Sequence, residues 1–263
     1  MADSGKLGVN SRKQQLRPFK SGLGFRTIQV EPTTQDTPMD ASELLECDVT
    51  PEKERFFDVP HLEGINLSDR DLRGADLRGA DLFDAKLIHT DLSDANLEGA
   101  ILSRATLSRA ILSRAILRGA LLSDALLSRA ILREANLSGA VLRGAILSSA
   151  ILSGADLYHA NLSGALLGYA DLYHAYLRDA LLKQADLYHA YLRDANLVGA
   201  NLRNANLSGA DLRGANLIAA NLRNANLFGA NLRYANLGGA NLRCALICQT
   251  TMPDGEVSNR DCL

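Results

Sequence analysis

Apolar residues return at a fixed interval through most of the chain. From Ile65 to Ile247 a leucine stands at almost every fifth position, with alanine two residues before it, and the other three positions of each five vary. No single regular element accommodates that period. Five steps along an α-helix rotate a side chain by roughly 140°, and five along a strand place it on the opposite face. The chain must therefore bend once per repeat, over roughly 37 successive units, which predicts a solenoid. A longer echo sets the size of the coil: NLRNANL occurs at Asn201 to Leu207 and again, twenty residues later, at Asn221 to Leu227. Four repeats per coil is the simplest reading.

With units such as ADLRG, ANLEG, AILSR, ADLYH and ANLRN, the pattern A(D/N)LXX resembles the pentapeptide-repeat proteins over most of the chain. The resemblance implies an all-β fold, a right-handed quadrilateral β-helix in which each repeat forms one side. It also implies that the Leu and the Ala two before it point inward, while the residue before the Leu and the two after it point outward. Stacked at about 4.8 Å, roughly nine coils would make a rod about 45 Å long. Each buried Leu contributes about 1.5–3 kcal/mol, set against a comparable ordering entropy, so the core needs neither metal nor disulfide. Gly74, Gly79, Gly99, Gly119 and Gly139 stand second after Leu and suit the positive-φ site of a type II turn. Arg104, Asp124 and His159 at that position predict a different turn.

The chain divides into an N-terminal tail (1–24), a capping segment with short helices (25–61), the β-helix (62–250) and a C-terminal capping tail (251–263). The tail lacks periodicity, and its Lys, Arg, Ser and Gly predict a mobile segment, with a targeting or partner-binding tail the alternative. In the capping segment, GFRTIQVE reads as a short strand, Asp40 to Glu43 as a capping box, and Thr50-Pro51 as a second helix start. A solenoid's first coil exposes its core and an open edge, so Phe56, Phe57 and Leu62 are expected to cover it. The ending TTMPDGEVSNRDCL holds a tight turn at Met252 to Gly255; it is expected to fold back, with Met252 and Val257 over the last coil. This ending resembles those of cyanobacterial pentapeptide-repeat proteins, some of which regulate cell differentiation through protein contacts.

Composition narrows the class. The 263 residues carry a net charge of −2, 5% aromatic residues and no Trp. No run reaches the roughly 18 apolar residues of a membrane span, and the first twenty residues lack the apolar core of an export signal, so a cytoplasmic protein without membrane contact is expected. Cys47, Cys244, Cys248 and Cys262 have no zinc spacing and are expected to be reduced structural thiols, with Cys248 and Cys262 the one pair to check for a bond. Asn-Leu-Ser at Asn66, Asn136, Asn161 and Asn206 is a by-product of the repeat, not a glycosylation signal. No cofactor is implied.

Charge is unevenly spread. Glu63 to Glu98 carries nine acids against four bases. Beyond it, Arg104, Arg109, Arg114, Arg118, Arg129, Arg133 and Arg143 face only Asp124 and Glu134, and Arg203 to Arg243 holds five Arg against Asp211. The middle block also loses its polar residue before Leu. Ile101, Leu121 and Val141 should stack on one side, Ile111, Ile131 and Ile151 on the opposite side, and Leu126, Ile146 and Leu166 on a third. These ladders form an apolar belt bordered by Arg104, Arg109, Arg114 and Arg129. Two readings stand: a partner-binding surface, or neighbour contacts that stabilise stacked strands whether or not anything binds.

The block that most resembles chemistry is DLYHA at Asp156, Asp171 and Asp186. Fifteen residues is three quarters of a coil, so His159, His174 and His189 fall on different sides and cannot converge on a metal. One coil on, Asp179 should stack on His159, Asp194 on His174, and His189 on Tyr169. The His/Asp pairs read as surface ion pairs without a nucleophile or cleft, so no catalytic residue is assigned and an enzyme is not expected. The leading reading is a non-enzymatic interaction scaffold with a protein partner, with a homodimer through solenoid sides or ends also open. The resemblance also permits a DNA mimic of the quinolone-resistance kind, which needs a strongly acidic surface, whereas the array from Glu63 to Ile247 sums to about +2; nucleic-acid binding along Arg203, Arg223 and Arg243 is the inverse possibility.

Overall fold

The computed structural model describes residues 61–262. The expected tail (1–24) and the short helices and strand of the capping segment lie outside the described residues. Within them the architecture follows from one repeated hydrogen-bonding unit. Each repeat runs extended for two residues and then turns, so the backbone forms isolated parallel bridges instead of continuous strands. The bridges join each residue before a Leu to the one twenty positions on, as in Ile101 to Leu121 to Val141. Four repeats therefore close a coil, and the coil has four sides. Side one carries the bridged residues from His61 to Asn241, side two from Asn66 to Leu246, side three from Asp71 to Thr251 and side four from Asp76 to Asn236. We number each corner after the side it follows.

Three of the five backbone N–H groups in a repeat are used between coils and one within the turn. In the repeat around Leu82, the Leu82 N–H donates to Ile101 O at 2.8 Å and the Asp84 N–H to Ser103 O at 3.2 Å, while the Ala85 N–H closes the turn on Leu82 O at 3.1 Å. The N–H before the next Leu, that of Lys86, reaches back to Ile65 O at 2.8 Å. The fifth N–H, on the residue just after Leu, explains why Asp and Asn precede it. Their Oδ1 accepts that N–H, as from Ser93 to Asp91 at 3.0 Å and from Tyr158 to Asp156 at 3.0 Å. These are Asx turns, which reinforce the bend from the side chain.

The core is the stack of Leu and Ala, fully buried from Ala80 to Ala160. Thr90 and Thr250 take Ala positions without leaving a buried hydroxyl unsatisfied. Each donates to a leucine carbonyl, Thr90 Oγ1 to Leu67 O and Thr250 Oγ1 to Leu227 O, both at 2.7 Å. Leu62 is half-buried against the first coils.

The turn differs from the sequence expectation. Arg104, Asp124 and His159 adopt φ of 62°, 58° and 54°, in the same left-handed region as Gly99 and Gly119. One turn geometry serves every corner because the inter-coil hydrogen bonds fix it, and a non-glycine residue accepts a strain of about 1–2 kcal/mol there.

At the C-terminus, β1 (Thr250–Thr251) pairs antiparallel with β2 (Val257–Ser258). The returning tail replaces the missing next coil on one stretch only. The Ile247 N–H donates to Asp261 Oδ2 at 2.8 Å and the Gln249 N–H to Asn259 Oδ1 at 3.1 Å, positions where inner coils find a carbonyl. Met252 packs against the core as expected, but Val257 is 58% exposed and covers nothing. The thiols are also corrected: Cys248 and Cys262, with Cα atoms 4.9 Å apart, form a disulfide, because the folded-back tail brings them together. Cys244 is free and exposed.

Candidate functional site

Register by twenties places the belt as the sequence predicts. Ile101–Leu121–Val141 form one ladder on side one, Leu126–Ile146–Leu166 another on side two, and Ile111–Ile131–Ile151 a third on side three. All point outward and are half-buried to exposed, with Leu121 and Leu166 each 41% accessible. Apolar residues cannot form the Asx turn, so no side-chain oxygen caps the N–H of Ser113, Arg133 or Ser153 among the described residues. The belt thus gives up a hydrogen bond that Asp or Asn provides at the same position elsewhere.

The arginines divide into two sets. Arg104 and Arg114 are not unopposed: each stands one coil beyond an acid, Arg104 on Asp84 at 2.9 Å and Arg114 on Asp94 at 2.7 Å, and Arg118 meets Glu98 at 3.2 Å. The acidic block therefore neutralises the first part of the basic block. Asp94 is held below its ordinary carboxylate range by the Arg114 hydrogen bonds, as Asp71 is by Arg73, down to about 2. Among the described residues, Arg109, Arg129 and Arg133 have no carboxylate partner, and the Arg109 guanidinium lies 3.5 Å from His89 Nε2.

The His/Asp pairs do not form. Asp179 turns to Arg178 at 3.4 Å and Asp194 to Arg193 at 3.3 Å. His159 instead packs on Tyr158 and His174 on Tyr173, each with ring centroids 4.0 Å apart. The adjacent arginine, permanently charged and one residue away, takes the carboxylate. His189 does stack on Tyr169, with centroids 5.5 Å apart and planes 10° from parallel. Among the described residues no three His, Cys, Asp or Glu side chains converge as a metal site, and no helix is long and apolar enough to cross a membrane.

Side three gathers what the other sides scatter. Its ladder continues from Ile151 through Asp171 to Tyr191, with Tyr169 and Tyr188 on the corner before it and Tyr173 on the corner after it, all four tyrosines exposed. Arg109 and Arg129 border the isoleucines on one edge, Arg114 and Arg133 on the other. Two open grooves flank the same side, one of about 420 Å³ along Ser108, Arg109, Ser128 and Arg129, the other of about 590 Å³ along Arg133, Asp171, Tyr173 and Tyr191. The five-residue motif alone does not reveal this cluster. Counting the tyrosine positions by twenties and assigning both flanking corners to one side would have found the cluster.

Comparison with known proteins places this geometry. A family profile described as pentapeptide repeats (8 copies) matches residues 61–99, 90–129, 130–168, 170–209 and 205–243. The chain is similar to the crystal structure of HetL, a pentapeptide repeat protein involved in heterocyst differentiation regulation from the cyanobacterium Nostoc. Identity to HetL is 40%, over 76% of this chain and 94% of that one, with a TM-score of 0.52. It is also similar to full-length QnrB1, a plasmid-mediated fluoroquinolone resistance protein, at 21% identity over 66% of this chain and 92% of that one, with a TM-score of 0.55. The second likeness speaks to fold alone; together they support the right-handed quadrilateral β-helix. No curated protein sequence matches significantly.

Proposed function

Since the chain belongs to the pentapeptide-repeat family, we propose that it is a non-enzymatic regulatory scaffold whose side three binds a protein partner. The observation that carries this reading is the placement of Ile111, Ile131 and Ile151 on successive rungs of one side, with Tyr191 beyond Asp171 on the same side, flanked by exposed tyrosines and by Arg109, Arg129 and Arg133, which have no carboxylate partner among the described residues. Tyrosine and arginine dominate binding energy at protein interfaces, and aliphatic residues between them supply the dry centre. HetL, 40% identical, is involved in heterocyst differentiation regulation, and a regulatory role of that kind through protein contacts fits this surface. A DNA-mimic role finds little support in the acidic end, because Asp84, Asp94 and Glu98 are already matched by arginines of the same stack.

The test replaces Ile111, Ile131 and Ile151 together by Asn. Asn136 and Asn161 already hold this position and bond the N–H two residues on, at 3.0 and 3.1 Å, so the variant should keep its fold and melting behaviour. Affinity capture from the source cells should lose the partners that the unmodified protein retains. Retention of those partners overturns the reading, and loss of self-association alone would make side three a homodimer interface instead.

A further inference from the structure

Corner one changes character over the later coils. Lys183, Arg203, Arg223 and Arg243 each follow the leucine of side one on four successive rungs, and all four are exposed. With rungs about 4.8 Å apart, the comb spans about 14 Å. Upstream on the same corner, Arg104 stands over Asp84. Here like charge stands over like charge, and among the described residues none of the four has an ion-pair partner. Stacked like charges are destabilising unless something else neutralises them. Their backbones are also pinned: Asn201, Asn221 and Asn241 Oδ1 accept the N–H of Arg203, Arg223 and Arg243 at 3.3, 3.2 and 3.1 Å. The neighbouring corner residues Gln184, Asn204 and Asn224 are neutral, with Asn224 Nδ2 donating to Asn204 Oδ1 at 3.1 Å. Asp186 on side two is engaged by Asn206 Nδ2 at 2.8 Å, and Asp261, beside the last rung, by Arg260 at 2.8 Å.

We propose that this comb binds an α-helix of a protein partner through a stripe of carboxylates aligned with the corner. The spacing selects the partner's secondary structure. Acids at i, i+3, i+7 and i+10 of a helix share a face and rise about 15 Å over ten residues, a match to four rungs. Acids on one face of a strand, at every second residue, would span about 20 Å and fall out of step. The corner and the flanking stretches of sides one and two, from Leu181 to Leu246, hold no aromatic residue, so bases of a single-stranded nucleic acid find no stacking platform. Leu181 on side one and Leu246 on side two, 43% and 40% exposed, flank the first and last rungs of the comb on opposite sides. Corner one lies between sides one and two, so this site is separate from side three.

The test uses the full chain and a fluorescent helical peptide with Glu at i, i+3, i+7 and i+10. Controls are a peptide of the same composition with the acids spread around the helix, and single-stranded and duplex DNA of equal charge. Anisotropy titrations should show the striped peptide binding at least tenfold tighter than the permuted one and than either DNA, with affinity falling as salt rises. Arg203→Gln with Arg223→Gln should weaken it at least tenfold, and Lys183→Gln with Arg243→Gln serves if the first pair impairs folding. The side-three Asn variant should bind the striped peptide unchanged. No binding at low salt, less than tenfold preference over the permuted peptide, tighter binding of either DNA, or unaltered binding by the Gln variants overturns the proposal.

Discussion

Opening the Cys248–Cys262 bond should release the tail without unfolding the stack. The bond joins residues 14 apart, and closing a loop of about 15 residues is worth about 3 kcal/mol in chain entropy. Coils in a solenoid contact only their neighbours, so the loss stays at the end where it occurs. At 1.36 kcal/mol per decade, about 3 kcal/mol raises the open population of the tail about a hundredfold. The amides that report it are Ile247, bonded to Asp261 Oδ2, Gln249, bonded to Asn259 Oδ1, and Asp261, bonded to Ile247 O at 3.0 Å. Hydrogen exchange with and without a dithiol reductant should show these three accelerating by about that factor. Leu137, bonded to Asp156 O at 2.7 Å in the middle of the stack, should not change. Cys248→Ser with Cys262→Ser should behave as the reduced protein does. Unchanged exchange at the three tail amides, or an equal acceleration at Leu137, would refute the reasoning.

Thr90→Ala restores the residue found at nearly every equivalent position, yet chemical unfolding should show it less stable by about 1 kcal/mol, because the hydroxyl bond to Leu67 O is lost; an equal or higher stability contradicts this. Gly139→Ala should cost about 1 kcal/mol from its φ of +67° alone, since an added Cβ meets nothing within 4 Å; Gly209→Ala should cost more, because its Cβ would meet the His189 ring. Asp71, held to about 2 by Arg73, and Asp76, Asp94, Asp211 and Asp261, each lowered by a hydrogen-bonding arginine, have folded pKa values below the ordinary 3.8. Their contribution is complete above that value and is lost as pH falls toward 2, so the melting temperature should be level from neutrality to about pH 4 and fall below it, less steeply in high salt.

Periodicity made the Leu and Ala stack legible, because only one arrangement buries a residue pair repeated every five positions. The twenty-residue echo likewise put Ile111 under Ile131 and Ile151. What it left hidden depends on side-chain choice among near neighbours. Asp179 had His159 one coil back and Arg178 beside it, and only the folded geometry shows the arginine taking it. The role of Asp and Asn before Leu was visible as a preference but not as an Asx turn, since the acceptor and its N–H lie two residues apart across a bend. Residues such as Arg104 and His159 suggested a second turn type, but the inter-coil hydrogen bonds override the local preference. The fold-back of the tail and the pairing candidates Cys248 and Cys262 were legible, but the lack of an apolar export signal argued for reduced thiols, and only the folded tail shows the bond.

Site-specific photo-crosslinking tests the central claim most directly. A photoreactive residue placed at Ser128 or Tyr173, beside side three, and at Ser103 or Ser123, on corner one several rungs from Lys183, would be irradiated in the source cells and the adducts identified. Side three as the protein interface predicts one common partner crosslinked from Ser128 and Tyr173 and absent from Ser103 and Ser123. The same partner crosslinked equally from all four positions, or only from Ser103 and Ser123, would contradict it.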